Sequence, residues 1–235
     1  MKPSERDNCF LGTYYRTAGN IDSLLALDNG KHFQAAAMLS RSLYELAVDI
    51  YLIDKVPQGW MKMVFFVEVE KLRIARKLVE FAAANSARAI DVSVQTNFIA
   101  HNEKRIEGNR KTLWPHLKKP GDLKHWSGKN LSERAALLGD PFDEMYNSHY
   151  PRLSWYVHSG LTGVVNMPSD RFPLVHGFAL SLSMFCYSEI LEAVIHEMKI
   201  DLADHKITNH LKYAKLLPFT KTPEEEAGLL RELLG

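Results

Sequence analysis

Arg152 and His158 are the residues of this chain whose types and spacing best fit a chemical role. They lie in Tyr150-Pro-Arg-Leu-Ser-Trp-Tyr-Val-His158-Ser-Gly, which reads as one short helix with Pro151 in its first turn and Gly160 at its end. A guanidinium can fork onto a phosphate, and an imidazole can move a proton near neutral pH. Together they are the minimum equipment for cutting RNA without a metal. Each helical residue turns ~100°, so positions six apart differ by about 120° and only long side chains near a helix N-terminus converge. Tyr150, Ser154 and Tyr156 add hydroxyls, and Trp155 adds a flat ring on which a base can stack. The ordinary alternative is a surface pair or a pair that caps the core.

Two further groups could support such a site. Arg41 and Glu45 are one helical turn apart on a face that also carries Ala37, Met38 and Val48. Charges on an inward face need partners, because a lone buried charge is costly. They therefore either pair with each other or reach the Arg152/His158 helix and orient it. A carboxylate on the imidazole would fix its tautomer and raise its basicity. His125-Trp126-Ser-Gly-Lys129 could bind an anion through backbone N–H groups and the lysine, or could be a structural turn with Trp126 in the core. The remaining histidines lack metal-ligand spacing, and no His-Glu-x-x-His occurs. Neither a Gly-x-Ser-x-Gly elbow nor a Gly-x-Gly-x-x-Gly fingerprint is present. No metal or cofactor is expected.

These residues need a helical frame, and the sequence supplies one. Apolar residues recur at helical spacing over Lys31–Lys55 and Trp60–Ala84, the second run continuing, bent near Asn85-Ser86, toward Ile106. Ile21–Leu27 reads as a short helix, Leu113–Asn130 as a long loop, Ser132–Gly139 and the stretch after Asp140-Pro141 as short helices. Arg171–Leu202 is a strong helix. Beyond Asp204 two short helices follow, the last opened by Thr222-Pro223 and three glutamates. No run alternates at period two. The expected fold is all-α, a bundle of four or five long helices with short accessory ones, as one domain over 1–203 and a helical tail over 204–235.

The 235 residues are 46% apolar and 24% charged with a net charge of +1, the composition of a globular protein with ample core. That balance argues against coating nucleic acid by bulk charge, though not against a local basic patch. Cys9 and Cys186 make no redox or metal spacing, and the N-terminus is polar, so a reduced cytoplasmic protein without a signal peptide is expected. The apolar stretch Phe172–Ile195 is broken by His176, Glu189 and Glu192, which suits a buried helix rather than a membrane span.

Three stretches together resemble a widespread bacterial family of helical proteins of unknown function. These are Arg41/Glu45, Trp126/Gly128 with Arg134, and Tyr150/Arg152/Leu153/Ser154/His158, covering about residues 30–200. The Arg/His segment also resembles the Arg-x(4–6)-His signature of the HEPN superfamily, all-α proteins that include many toxin and phage-defence ribonucleases. That resemblance implies an HEPN-like core, RNA as substrate, Arg152 and His158 as catalytic residues and a homodimer with a shared cleft. It also implies a possible antitoxin or other protein partner. Leu153 stands where active HEPN ribonucleases usually carry a polar residue. The alternative is a non-catalytic module that binds a nucleotide or a protein in the same pocket.

Overall fold

A computed structural model describes residues 3–27, 31–117, 123–158, 171–201, 205–216 and 222–234, and every regular element among them is helical. In chain order these are α1 (Glu5–Leu25), α2 (Phe33–Lys55), α3 (Gly59–Ala84), α4 (Ser93–Leu113), α5 (Leu131–Leu138), α6 (Phe142–Ser148), α7 (Tyr150–His158), α8 (Phe172–Glu197), α9 (His205–Leu216) and α10 (Pro223–Leu234). A 3-10 turn, Ser86–Arg88, separates α3 from α4. The chain forms two compact units, Met1–Leu52 with Leu131–Gly235, and Ile53–Asn130. α9 and α10 belong to the first unit, α9 packing on α8 and α10 on α9.

In the first unit α2 and α8 supply the core. Leu43, Tyr44, Ala47, Val48 and Leu52 of α2 are fully buried, as are Ala179, Leu182, Cys186 and Ile190 of α8. α8 is long and apolar enough to cross a membrane by length and composition, yet half of its most apolar window is buried within the protein. Its buried Glu189 receives Lys215 Nζ of α9 at 2.8 Å. Ser183 and Ser188 donate back to the carbonyls of Ala179 and Phe185, so their hydroxyls enter the core satisfied. Arg6 grips Glu197 with two hydrogen bonds of 2.5 and 2.8 Å, tying the start of α1 to the end of α8.

α1 is longer than the sequence suggests, starting at Glu5 rather than near Ile21. Ser4 and Asp7 form a reciprocal capping box at its start. Its buried face is Cys9, Phe10, Thr13, Thr17 and Leu24, which carries little apolar signal. Thr13 and Thr17 become tolerable inside because each donates to the carbonyl four residues back, at 2.8 Å.

The second unit is a helical hairpin. α3 does not run on through Asn85: the 3-10 turn and Ala89, at φ 47, reverse the chain, and α4 returns antiparallel. Between the helices Val69, Leu72 and Ile106 pack with Trp114 and Leu123. Arg76 bridges Glu103 at 2.6 Å and Glu107 at 3.0 Å. Glu107 also holds Arg110 at 2.8 Å, whose side chain is 2% exposed and whose Nη1 donates to the Leu117 carbonyl. At the entrance to α3, a Cβ on Gly59 would stand 2.1 Å from the Ile53 carbonyl oxygen, so no side chain fits there.

Burial alone would raise the Glu107 carboxyl, but hydrogen bonds from Arg110 and Arg76 outweigh it and hold the pKa below the usual value. A carboxylate depressed in the fold adds stability above its unfolded pKa, and that contribution is lost as pH falls through the lower folded value. Glu107→Ala should cost about 3 kcal/mol or more at neutral pH in urea unfolding, because it strands the Arg110 guanidinium. The penalty should shrink as the pH drops below about 4. A penalty that stays constant down to acid pH would show that the carboxylate charge does not hold Arg110.

Candidate functional site

The Arg/His segment is built on the first unit. α7 has nine residues, too few to be stable by themselves, so its place must come from packing. Leu153 is 0% exposed and forms its inward side. Tyr150, its first residue, is the polar fastening. Arg41 Nη2 donates to the Tyr150 hydroxyl at 2.7 Å, and that hydroxyl donates to Glu45 Oε1 at 2.9 Å. The Arg41 guanidinium also lies over the Tyr150 ring, 4.8 Å from its centre. Burial is the main reason that the Tyr150 pKa is raised, so the phenol keeps its proton and acts as a donor to Glu45. Tyr44 and Tyr146 pack against the same ring.

Arg41 and Glu45 are half-buried and meet at the phenol of α7, not at the imidazole. The sharper of the two sequence readings, that they reach the Arg152/His158 helix, describes this contact. Their spacing continues to Asp49, another turn along α2, which takes Arg134 Nη1 of α5 at 2.5 Å. The Arg41, Glu45, Asp49 stripe thus fastens α5 and α7 onto one helix. Asp49 was legible at i+4 from Glu45 but stands out only once its partner is known. Tyr44, whose hydroxyl donates to the Phe142 carbonyl at 2.8 Å, carried no polar signal at all.

The outward side of α7 carries Arg152, which is exposed, and Trp155, 61% exposed. The Arg152 guanidinium sits 5.7 Å from the centre of the Phe178 ring of α8, and His149 stacks on that ring at 4.6 Å. Positions 152 and 155 lie one turn apart, about 60° from each other around the helix. His158 is the last residue of α7, and its side chain and Gly160 lie outside the described residues. Ser154 is half-buried, its Oγ without a hydrogen-bond partner among the described residues, and Tyr156 is wedged edge-on against Phe33. Neither joins the Tyr150 fastening.

His125, Trp126 and Lys129 belong to the second unit. There the backbone N–H groups of the turn are used internally. Ser127 N donates to His125 Nδ1, Gly128 N to the His125 carbonyl and Lys129 N to Ser127 Oγ. Trp126 is 3% exposed, and its carbonyl accepts from Trp114 Nε1 at 2.8 Å. Gly128 takes φ +73, the left-handed conformation that closes the turn. This geometry is a structural corner around a core tryptophan, with none of those three N–H groups aimed outward at an anion. Among the described residues, no three His, Cys, Asp or Glu side chains gather as a metal-binding group.

Tyr150→Phe removes both hydrogen bonds while keeping the ring. It should cost about 2 kcal/mol in thermal or urea unfolding, since each bond involves a charged group but the site is only half-buried. Glu45→Ala should cost about 1.5 kcal/mol rather than the larger penalty of a fully enclosed charge. Values below about 0.5 kcal/mol for both would mean that water replaces the fastening without loss.

No curated protein and no solved structure matches the chain. A family model does match, over residues 7–170, a range that contains α2, the second unit and the whole Arg/His helix. On that match the chain belongs to the family described as Family of unknown function (DUF5677).

Proposed function

We propose that this chain is an HEPN-like, metal-independent endoribonuclease of toxin or phage-defence type that works in the cytoplasm. The observation that carries the reading is α7 itself: Arg152 and Trp155 face outward on a helix that Tyr150 and Leu153 fasten from behind. A cation and a flat ring one turn apart match a phosphate and its neighbouring base in single-stranded RNA.

In the reaction His158 accepts the proton of a ribose 2′-hydroxyl, and that oxygen attacks the adjacent phosphorus. The bond to the 5′-oxygen breaks, and the leaving oxygen takes a proton from water; in the other role open to His158, its protonated imidazole gives the leaving oxygen that proton and water takes the one from the 2′-hydroxyl. Arg152 neutralises the extra negative charge on the five-coordinate phosphate, where a fixed cation lowers the barrier most. The products are a 2′,3′-cyclic phosphate and a 5′-hydroxyl. Two α7 helices meeting across a homodimer cleft would supply the site twice, as in the proteins that the Arg/His segment resembles.

A second reading is favoured by Leu153. It is fully buried, so the position after the arginine offers no polar group to the site. A module of this kind would bind a nucleotide, RNA or a protein such as an antitoxin on the same Arg152/Trp155 surface without cutting.

Purified protein incubated with end-labelled RNA in chelator should give cyclic-phosphate ends. His158→Ala and Arg152→Ala should each abolish cleavage with circular dichroism unchanged. Trp155→Ala should raise KM about tenfold, the size of one lost base stack, with a smaller effect on kcat. Expression of the intact gene should slow growth, and the His158→Ala gene should not. RNA that is retained but left intact by the wild type would favour the binding module instead.

A further inference from the structure

α3 carries apolar side chains on two faces, and its own unit uses one of them. Val69, Leu72 and Ala75 are buried on the side of α4 and the core. Val64, Val67, Ile74, Leu78 and Phe81 are 40 to 54% exposed. With Lys71 between them, positions 64, 67, 71, 74, 78 and 81 alternate steps of three and four, the spacing of a helix–helix seam. On an ideal helix this row lies roughly 150° from the Val69–Leu72 side. A single exposed leucine needs no explanation, but a continuous stripe along about five turns does.

We propose that this stripe is the contact between two copies of the chain, α3 against α3, packed antiparallel. A second copy is the occupant because the row complements itself when reversed. About a two-fold axis near position 72, Val64 meets Phe81 of the second copy, Val67 meets Leu78, and Lys71 meets Ile74. Each larger side chain then faces a smaller or more flexible one, and the symmetry repeats every contact. The charges beside the row agree. Reversal brings Lys77 of one copy toward Glu70 of the other. Among the described residues Lys77 has no ion-pair partner, and the half-buried Glu70 is held at one oxygen by Arg73.

Lys71 does not oppose the contact. Its ammonium is held by Glu68 at 2.9 Å, and its methylene stem can lie along the seam while the charge stays wet. A polar residue near the centre of such a row also fixes its register. Covering the stripe on both copies removes on the order of 1,000 Å², about the lower limit for a specific interface. The dimer should therefore form at roughly micromolar concentration. It is distinct from the α7 cleft of the ribonuclease reading, since α3 lies in the unit that carries neither Arg152 nor His158, and its loss is read as a halving of mass with or without that cleft.

The test is the mass of the full chain by sedimentation equilibrium across the micromolar range. The wild type should reach at least twice the chain mass. Ile74→Glu and Leu78→Glu should each halve the wild-type mass with an unchanged circular dichroism spectrum, because both sites are solvent-exposed in one copy. Val67→Ser, milder at an equally exposed site, should weaken association several-fold and decides the matter if either glutamate variant misfolds. Val64→Cys with Phe81→Cys should cross-link between copies, and Val64→Cys alone should not. A monomer at every concentration, or a dimer indifferent to these substitutions, would overturn the proposal. Self-linking of Val64→Cys alone would overturn the antiparallel arrangement.

Discussion

One phenol stands between a cation and a carboxylate of the same helix, and α7 depends on it. Tyr150 accepts from Arg41 and donates to Glu45, so its hydroxyl uses both of its capacities in one place. A hydroxyl can do this only while protonated, and burial keeps it so. The arrangement is directional: rotation of α7 about its axis would break both bonds at once. A nine-residue helix has little intrinsic stability, and this fastening with the buried Leu153 fixes which of its faces looks outward.

Charged pairs fasten other elements as well. Arg134 of α5 is fixed by Asp49, Lys215 of α9 by Glu189, and the start of α1 by Arg6 on Glu197. Such pairs contribute little net stability compared with the methyl groups around them, because desolvation offsets most of the attraction. What they add is selectivity, since a misplaced partner would leave a charge in a low-dielectric setting. The apolar core can be filled in several ways, whereas a buried carboxylate has few acceptable neighbours.

The long helices were legible because strong periodicity over twenty residues or more survives local noise. α2, α3 and α8 begin within two residues of where spacing, Pro and Gly place them, and α2 also ends there, while α8 stops at Glu197, short of Leu202. α1 was not legible over its first four turns. Its inner face is built of threonine and cysteine, and the hydrogen bonds that make those residues acceptable inside involve backbone carbonyls that no side-chain pattern reports. The bend near Asn85-Ser86 was legible, but the full reversal between α3 and α4 was not, for a related reason. Ala89 carries the left-handed turn, a residue whose type gives no hint of it. At the candidate site, the Arg41/Glu45 stripe could be read from its spacing, but its destination could not. Tyr150 is more than a hundred residues away along the chain, and helical periodicity carries no information about such contacts.

Leu153 links the packing to the chemistry. In a single short helix the residue after Arg152 points about 100° away from it, so a side chain there can serve the site or the core but not both. Here it serves the core completely, and Arg152 and Trp155 are left on the solvent side as a consequence. A polar residue at 153 would lose a buried anchor that a helix of this length cannot spare. The fastening at Tyr150 is compatible with that choice, because Arg41 and Glu45 satisfy the polar end of α7 from below and leave its outer row unencumbered. What the helix offers to a ligand is therefore set by what it must bury, and the exposed arginine and tryptophan follow from the leucine between them.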